Sequence, residues 1–449
     1  MRRRQLLKSL PFCVSLYSSV TYAQNRSNNI DDIEQLFNIA AAKHKRELRD
    51  LLVTRARLPI HLDDVSAQSI ARVLAVSEET TYERTYPSGT SVLFYSYEEE
   101  SLQIWLVDSS GIQAYSNKNV SKQQISEFIL RLRNAMNIDS LQRSRIPLQR
   151  GIIGIVPVVN DTKISLNQAV FDLTQVLVPV EIVNKLIAVK HLIIVPVLEI
   201  GTVPFAILKP FGDQTLLIDK MSISIAPSLF DIGQSLENWF FEDLSQSPLI
   251  VGDPYLPESM NWSVPPLPGA EQEARAVAEM MNATPLLGRE ATKTEVVSKA
   301  EKASLLYFAT HGVASSRDPL SGGFLMLSAA RFEQGWWTTR EIQNTRLSAE
   351  IAVLSACQTG LGQVHDAGII GLSRAFQIAG VPRVVMSLWS VDDQATSQLM
   401  QAFAKHLEAP NSLETTIPSE ALRQAMLEVR QYYPEPSKWA SFVIFGTPR

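Results

Sequence analysis

The chain predicts an α/β fold: three layers, with helices covering both faces of a mostly parallel sheet. The first observation is an alternation of short apolar runs with segments of helical periodicity across the second half. The runs are Leu249–Val251, Ala303–Thr310, Phe324–Leu327, Ile351–Ala356, Arg383–Leu388 and Phe442–Phe445. The helical segments between them are Ala270–Met281, Lys293–Lys302, Ile369–Ala379, Gln394–Leu407 and Ser419–Tyr432. Such alternation implies parallel strands joined by crossover helices. The second observation is His191–Val195, a continuous apolar run of the kind found in strands buried on both faces. The third is a break at Pro265-Pro266-Leu267-Pro268-Gly269, ahead of a helix, which separates two halves.

A chain of 449 residues accommodates two ordinary domains or one large one. With 45% hydrophobic and 19% charged residues it has the composition of a folded globular protein. The formal charge is −5 and no basic tract lies beyond the first residues, so a nucleic-acid partner is not expected. Residues 24–80 predict a helical segment, with Ile33, Leu36, Phe37 and Ala40 at helical spacing and Leu48, Leu51 and Leu52 continuing the stripe. Residues 85–245 predict a mixed α/β half. In it, Ser91–Tyr97 and Leu102–Val107 alternate apolar and polar residues around Glu98-Glu99-Glu100, a hairpin pattern. Val120–Met136 has helical periodicity, and residues 246–449 form the second half.

The first 23 residues predict an export signal. Arg2-Arg3-Arg4-Gln5-Leu6-Leu7-Lys8 resembles a twin-arginine leader, Ser9–Val20 is modestly apolar, and Thr21-Tyr22-Ala23 resembles a cleavage site. The stretch is too short and polar to span a bilayer, which needs about 20 apolar residues. Phe12 is too bulky for a lipobox at Cys13. Export implies a periplasmic or extracellular protein with no transmembrane segment after the signal is removed. The alternative is a cytoplasmic chain with a basic start. Removal of the signal takes away four basic residues and Cys13, leaving Cys357 as the one thiol. A lone thiol in an exported protein is a buried hydrophobe, an intermolecular cross-link or a reactive group.

The neighbourhood of Cys357 favours the last. It ends an apolar run in Leu354-Ser355-Ala356-Cys357-Gln358-Thr359-Gly360, and His311 ends another in Phe308-Ala309-Thr310-His311-Gly312. Ligand sites in parallel sheets lie beyond the carboxyl ends of the strands. There His311 would take the thiol proton and return it to a leaving amine. The N–H groups of Gly312 and Cys357 would serve as an oxyanion hole; the alternative for both glycines is turn chemistry at a strand end. Histidine precedes cysteine by 46 positions, close to the roughly 50 of caspases. No phosphate-binding loop, dinucleotide fingerprint or metal spacing occurs, so no cofactor or metal is expected. His44, His61 and His406 stand in helical or irregular polar settings. His365 reads as a loop histidine and His191 as structural, while Trp336-Trp337 leaves open whether the pair lines a groove or shields the sheet.

Taken together, residues from about 85 to 449 resemble the CHAT domain family, the bacterial branch of the caspase-like, separase-related cysteine peptidases. The matching pieces include the two motifs above, Gly371-Leu372-Ser373-Arg374-Ala375-Phe376 with Ala379-Gly380, and Ser387-Leu388-Trp389-Ser390-Val391-Asp392-Asp393 with Ala395-Thr396. Trp439-Ala440-Ser441-Phe442-Val443-Ile444-Phe445-Gly446 completes them, while Val197-Leu198-Glu199 departs from the family's Asp-Gly turn. The resemblance implies a caspase-like sandwich with a pseudo-caspase-like first half and a catalytic second half. It implies a His311–Cys357 dyad, and an acidic stretch near the substrate's P1 side chain in which Asp393, with Asp392 beside it, selects Arg or Lys. The alternative for this Asp pair is capping of the helix that follows.

The expected function is therefore that of a cysteine endopeptidase acting through an acyl-enzyme on a protein or peptide substrate, with a separate activator protein left open. The alternative is a caspase-fold interaction or regulatory module without turnover. An acyltransferase or amidase using the same dyad is a third possibility.

Overall fold

The computed structural model describes residues 30–50, 52, 62–75, 86–138, 164–212, 214–233, 244–256, 267–313, 323–329, 334–355, 363–365, 368–389, 392–407 and 417–448. The export signal, His61 and Cys357 lie outside them.

The strands of the first half are β1 (Thr90–Glu98), β2 (Ser101–Asp108), β3 (Gly111–Asn119), β4 (His191–Val195) and β5 (Ser222–Ile225). Those of the second are β6 (Pro248–Pro254), β7 (Leu286–Gly288), β8 (Leu305–Ala309), β9 (Gly312–Val313), β10 (Phe324–Met326), β11 (Trp336–Thr338), β12 (Ile351–Ser355), β13 (Gln363–His365), β14 (Gly368–Ile370), β15 (Arg383–Ser387) and β16 (Phe442–Phe445). Eleven of them form one sheet in the order β3-β2-β1-β4-β5-β16-β15-β12-β8-β6-β7. Only the β2–β3, β1–β2 and β15–β16 pairings are antiparallel, so the mostly parallel sheet expected from the alternation is present. The two halves share the sheet through β5 and β16, where Ile225 pairs with Phe445 and accepts the Gly446 N–H at 2.9 Å.

The helices Ile30–Arg49 and Ala67–Ala75 cover one face of the β1–β2 hairpin. Phe37 inserts edge-on against Phe94 at 5.5 Å and Trp105 at 5.8 Å. Full burial of such a side chain stabilises by roughly 1.5–3 kcal/mol. On the other face, Tyr95 and Tyr97 donate their hydroxyls to the carbonyls of Leu177 and Val120, each at 2.7 Å. The alternation expected for β1 therefore does not mark an exposed face: both faces are buried, and only Glu98 at its end is exposed. The hairpin closes through Glu99, which adopts a left-handed φ of 53°.

Some features depart from the sequence patterns and others follow them. The helices Leu166–Leu177 and Val180–Leu186 meet at 89°, and among the described residues no single helix is long and apolar enough to cross a membrane. The helix expected from Ile369 begins at Leu372, because Gly368–Ile370 pairs instead with Gln363–His365 as a small hairpin. His191 is structural, buried with Nδ1 2.7 Å from Ser222 Oγ. The helix Ser121 precedes is closed by a reciprocal cap with Gln124, as its Ser-x-x-Gln spacing requires.

Candidate active site

β8 and β12 lie side by side and parallel at the centre of the second half, every residue of both buried. Their register pairs Ala309 with Ser355 at the carboxyl ends. Two residues beyond Ala309 is His311, and two beyond Ser355 is Cys357. The sheet edge thus has a definite order. The acidic turn follows β15, the cysteine motif follows β12, the histidine motif follows β8, and Asp253 is the penultimate residue of β6.

His311 is held by its backbone. The buried Thr310 donates Oγ1 to Met326 O at 2.6 Å, and Met326 N–H donates to His311 O at 2.9 Å. Gly312 then pairs with Leu325, opening a three-stranded sheet β11-β10-β9. His311 is half-buried, between a rigid strand and this flanking sheet. The two tryptophans divide their roles. Trp337 is fully buried against Phe308 at 5.9 Å and Phe376 at 5.8 Å, and Trp336 stacks on Phe324 at 4.8 Å. Trp337 therefore shields the core.

The hairpin β13–β14, which contains His365, lies against the turn Leu198–Thr202 that follows β4. The Val197-Leu198-Glu199 stretch that departs from the family pattern is here, with Leu198 at a left-handed φ of 54°.

Asp392 and Asp393 follow β15 and have distinct partners. Asp392 Oδ1 accepts the Ala395 N–H at 3.0 Å and its carbonyl accepts the Thr396 N–H at 2.9 Å, so Asp392 caps the helix Asp393–Leu407. Asp393 Oδ2 accepts the Gly269 N–H at 2.9 Å, at the start of the helix Pro268–Met280. A carboxylate is favoured there by the unpaired N–H groups of the first turn. A Cβ at position 269 would overlap the Asp393 carboxylate, which is why the close approach uses glycine. Asp392 is exposed and Asp393 half-buried.

One group at this edge was not anticipated. Glu273, on the helix Pro268–Met280, is 2% exposed. Its Oε1 accepts the Tyr307 hydroxyl at 2.8 Å. Burial pushes its carboxyl up to about 8. Ser355 and Tyr307 partly offset that rise, and the nearby Asp393 charge adds to it. Ser355 Oγ is also buried. It lies near enough to the carboxyl to hold its pKa down, yet makes no well-aligned hydrogen bond among the described residues. A signal was present in the sequence. Glu273 falls on the stripe of Ala270, Ala274, Val277, Ala278 and Met281, which reads as the buried face of this helix.

Comparison with known proteins agrees with this architecture. The CHAT domain pattern matches residues 169–447. The chain belongs to the CHAT domain family. The resemblance expected from about residue 85 is thus found from residue 169, leaving β1 to β3 outside the matched region. The chain is 27% identical over 300 residues to tetratricopeptide repeat protein 28 of Homo sapiens and 26% identical to that of Mus musculus. In each case the match covers 58% of this CHAT protein and 12% of the relative, so it spans about an eighth of their length. Among solved structures, the separase–securin complex of Saccharomyces cerevisiae matches with a TM-score of 0.55 at 11% identity, covering 94% of this chain and 34% of that one. The Arg-specific cysteine proteinase gingipain R matches at 0.39 and 13% identity, covering 58% of this chain and 63% of that one. The fold is caspase-like α/β. Among the described residues, no cluster of His, Cys, Asp or Glu could hold a metal ion.

Proposed function

We propose that this CHAT protein is a cysteine endopeptidase with His311 and Cys357 as its dyad. The observation that carries this reading is the pairing of Ala309 with Ser355, from which the chain runs two residues to the imidazole and two to the thiol. In the proposed reaction His311 takes the thiol proton and Cys357 Sγ attacks the peptide carbonyl. The N–H groups of Gly312 and Cys357 stabilise the resulting oxyanion, a contribution typically of about 10²–10³ in rate per donor. His311 then protonates the departing amine, and water hydrolyses the acyl-enzyme with His311 again as base. Asp393, with Asp392 beside it, is proposed to hold a basic P1 side chain; among the described residues each carboxylate has one oxygen engaged by a backbone N–H. Export through the Arg2–Lys8 leader is part of the same proposal.

An acyloxymethyl ketone bearing Arg tests the reading. Wild-type protein is expected to label, and Cys357→Ala and His311→Ala are expected not to. A wild type that stays unlabelled, with candidate activators added, favours the second reading, a caspase-fold interaction module without turnover. That reading draws support from the mammalian relatives, whose name is that of a repeat protein.

A further inference from the structure

The buried carboxyl of Glu273 lies on the helix that packs over β6 and β8, the latter leading to the proposed histidine base. Tyr307 is on β8, four residues before His311, and Ser355 is on β12, two residues before Cys357. Paired residues of parallel strands point to the same face, and residues two apart along a strand do likewise. The register pairs Tyr307 with Val353 and Ala309 with Ser355. Tyr307 and Ser355 therefore share one face of the sheet, the face on which the helix Pro268–Met280 packs. Glu273 accepts from Tyr307 at 2.8 Å, and the buried Ser355 Oγ on the same face is left without a well-aligned partner among the described residues.

This arrangement is costly unless the carboxyl keeps its proton. Among the described residues, no cation belongs to the groups that act on it. The titratable groups facing it are Tyr307 from β8 and Asp393 from the helix Asp393–Leu407. From β6, Asp253 accepts the Leu267 N–H at the start of Glu273's own helix. On that helix, Glu271 and Arg275 pair with each other on the outward side. Among these described residues, the one charge acting on it is that of the half-buried Asp393, and an ionised Glu273 would add a fully buried anion beside it. A protonated Glu273 has an O–H to donate, and Ser355 Oγ is a buried acceptor beside it.

We propose that Glu273 is a positioning residue for the dyad: as a neutral carboxylic acid it ties Tyr307 on the histidine strand to Ser355 on the cysteine strand, and losing its proton weakens Cys357 as a nucleophile. The physical reasons are two. Ionisation removes the donor that bridges the strands. It also leaves a buried negative charge against the strands that lead to His311 and Cys357, and a like charge disfavours the anionic, reactive form of a sulfur. The buried acid therefore gives the site an alkaline limit separate from that of the dyad itself. This inference rests on the dyad reading for its consequence, but not for its measurement.

Infrared difference spectra and Cys357 alkylation test it in the full chain. The infrared band of a protonated carboxyl is expected at pH 6.5, absent in Glu273→Gln, and lost from the wild type as pH rises through 8. Alkylation by iodoacetamide is followed on the Cys357 peptide by mass spectrometry, which separates it from Cys13. At pH 7, Glu273→Leu is expected to slow alkylation at least tenfold, and Glu273→Gln, which remains neutral and can still donate, to restore most of the rate. Between pH 7 and 9, the wild-type rate divided by that of Glu273→Gln is expected to fall at least threefold. Equal rates in all three proteins, or a ratio flat with pH, would overturn the proposal. If Glu273→Leu fails to fold, the Glu273→Gln ratio and the infrared band still decide. A wild type that alkylates as expected but cleaves no peptide rejects the peptidase reading alone.

Discussion

Mild acid should loosen the N-terminal helix through His44. This residue lies on Ile30–Arg49 and is 4% exposed. Its ring stacks on Phe230 at 6.0 Å, within 5° of parallel, and meets Phe94 edge-on at 5.9 Å. Its Nε2 is buried without a hydrogen-bond partner among the described residues. Burial lowers the imidazole to about 4. Asp231 raises it and Arg374 lowers it, and these two form an ion pair at 2.7 Å, so their effects oppose each other. An unfolded histidine binds its proton near 6.5, whereas the folded pocket resists it until about 4. The contribution to stability is therefore complete above pH 6.5 and is lost as pH falls toward 4. At 1.36 kcal/mol per unit, the full loss is about 3 kcal/mol, and about 2 kcal/mol has gone by pH 5. His44→Phe keeps the ring contacts and removes the titration. Hydrogen exchange of the Ile30–Arg49 amides, corrected for intrinsic rates, should show wild type losing about 2 kcal/mol more protection than His44→Phe between pH 7.5 and 5. His191, also depressed by burial, contributes equally to both proteins and cancels. If both lose the same protection, the buried imidazole is not the acid-sensitive element.

Two further outcomes follow from the geometry. Asp393→Ala should reduce the Arg-over-Leu P1 preference in kcat/KM by about 10–100-fold, the worth of one charge-assisted hydrogen bond; it should also lower the unfolding midpoint by removing the acceptor for Gly269 N–H, and an unchanged preference would assign Asp393 to helix bridging alone. Arg383→Met should destabilise by about 3–5 kcal/mol in chemical denaturation, because it removes the guanidinium from a buried ion pair with Glu350 whose side chains are 4% and 3% exposed, and adding Glu350→Leu should recover most of the loss.

The longer strands and helices were legible because each is a continuous apolar run or carries a helical stripe, whereas short pieces such as Leu286–Gly288, Trp336–Thr338 and Gln363–His365 were not. His191–Val195 and Phe442–Phe445 match their observed limits residue for residue. β3 was not legible. Gly111–Asn119 is polar and half-exposed, and it becomes a strand by pairing with β2 rather than by its own pattern. The helix expected from Ile369 was misjudged at its start because pairing with Gln363–His365 outweighed local propensity. At the candidate site, the His311 and Cys357 motifs and the Asp pair were visible as residues in context. The separate partners of Asp392 and Asp393 were not, since neighbouring carboxylates give no hint of which helix each will reach.

Sequence alone determined the α/β class, the family and the candidate nucleophile and base, since those depend on residue type, order and local period. Tertiary structure alone decided that Ala309 and Ser355 share a register, that the two halves share one sheet, and that Glu273 is buried with Tyr307 and Ser355. Those facts depend on contacts between residues tens to hundreds of positions apart, and on a local dielectric that only the assembled core creates.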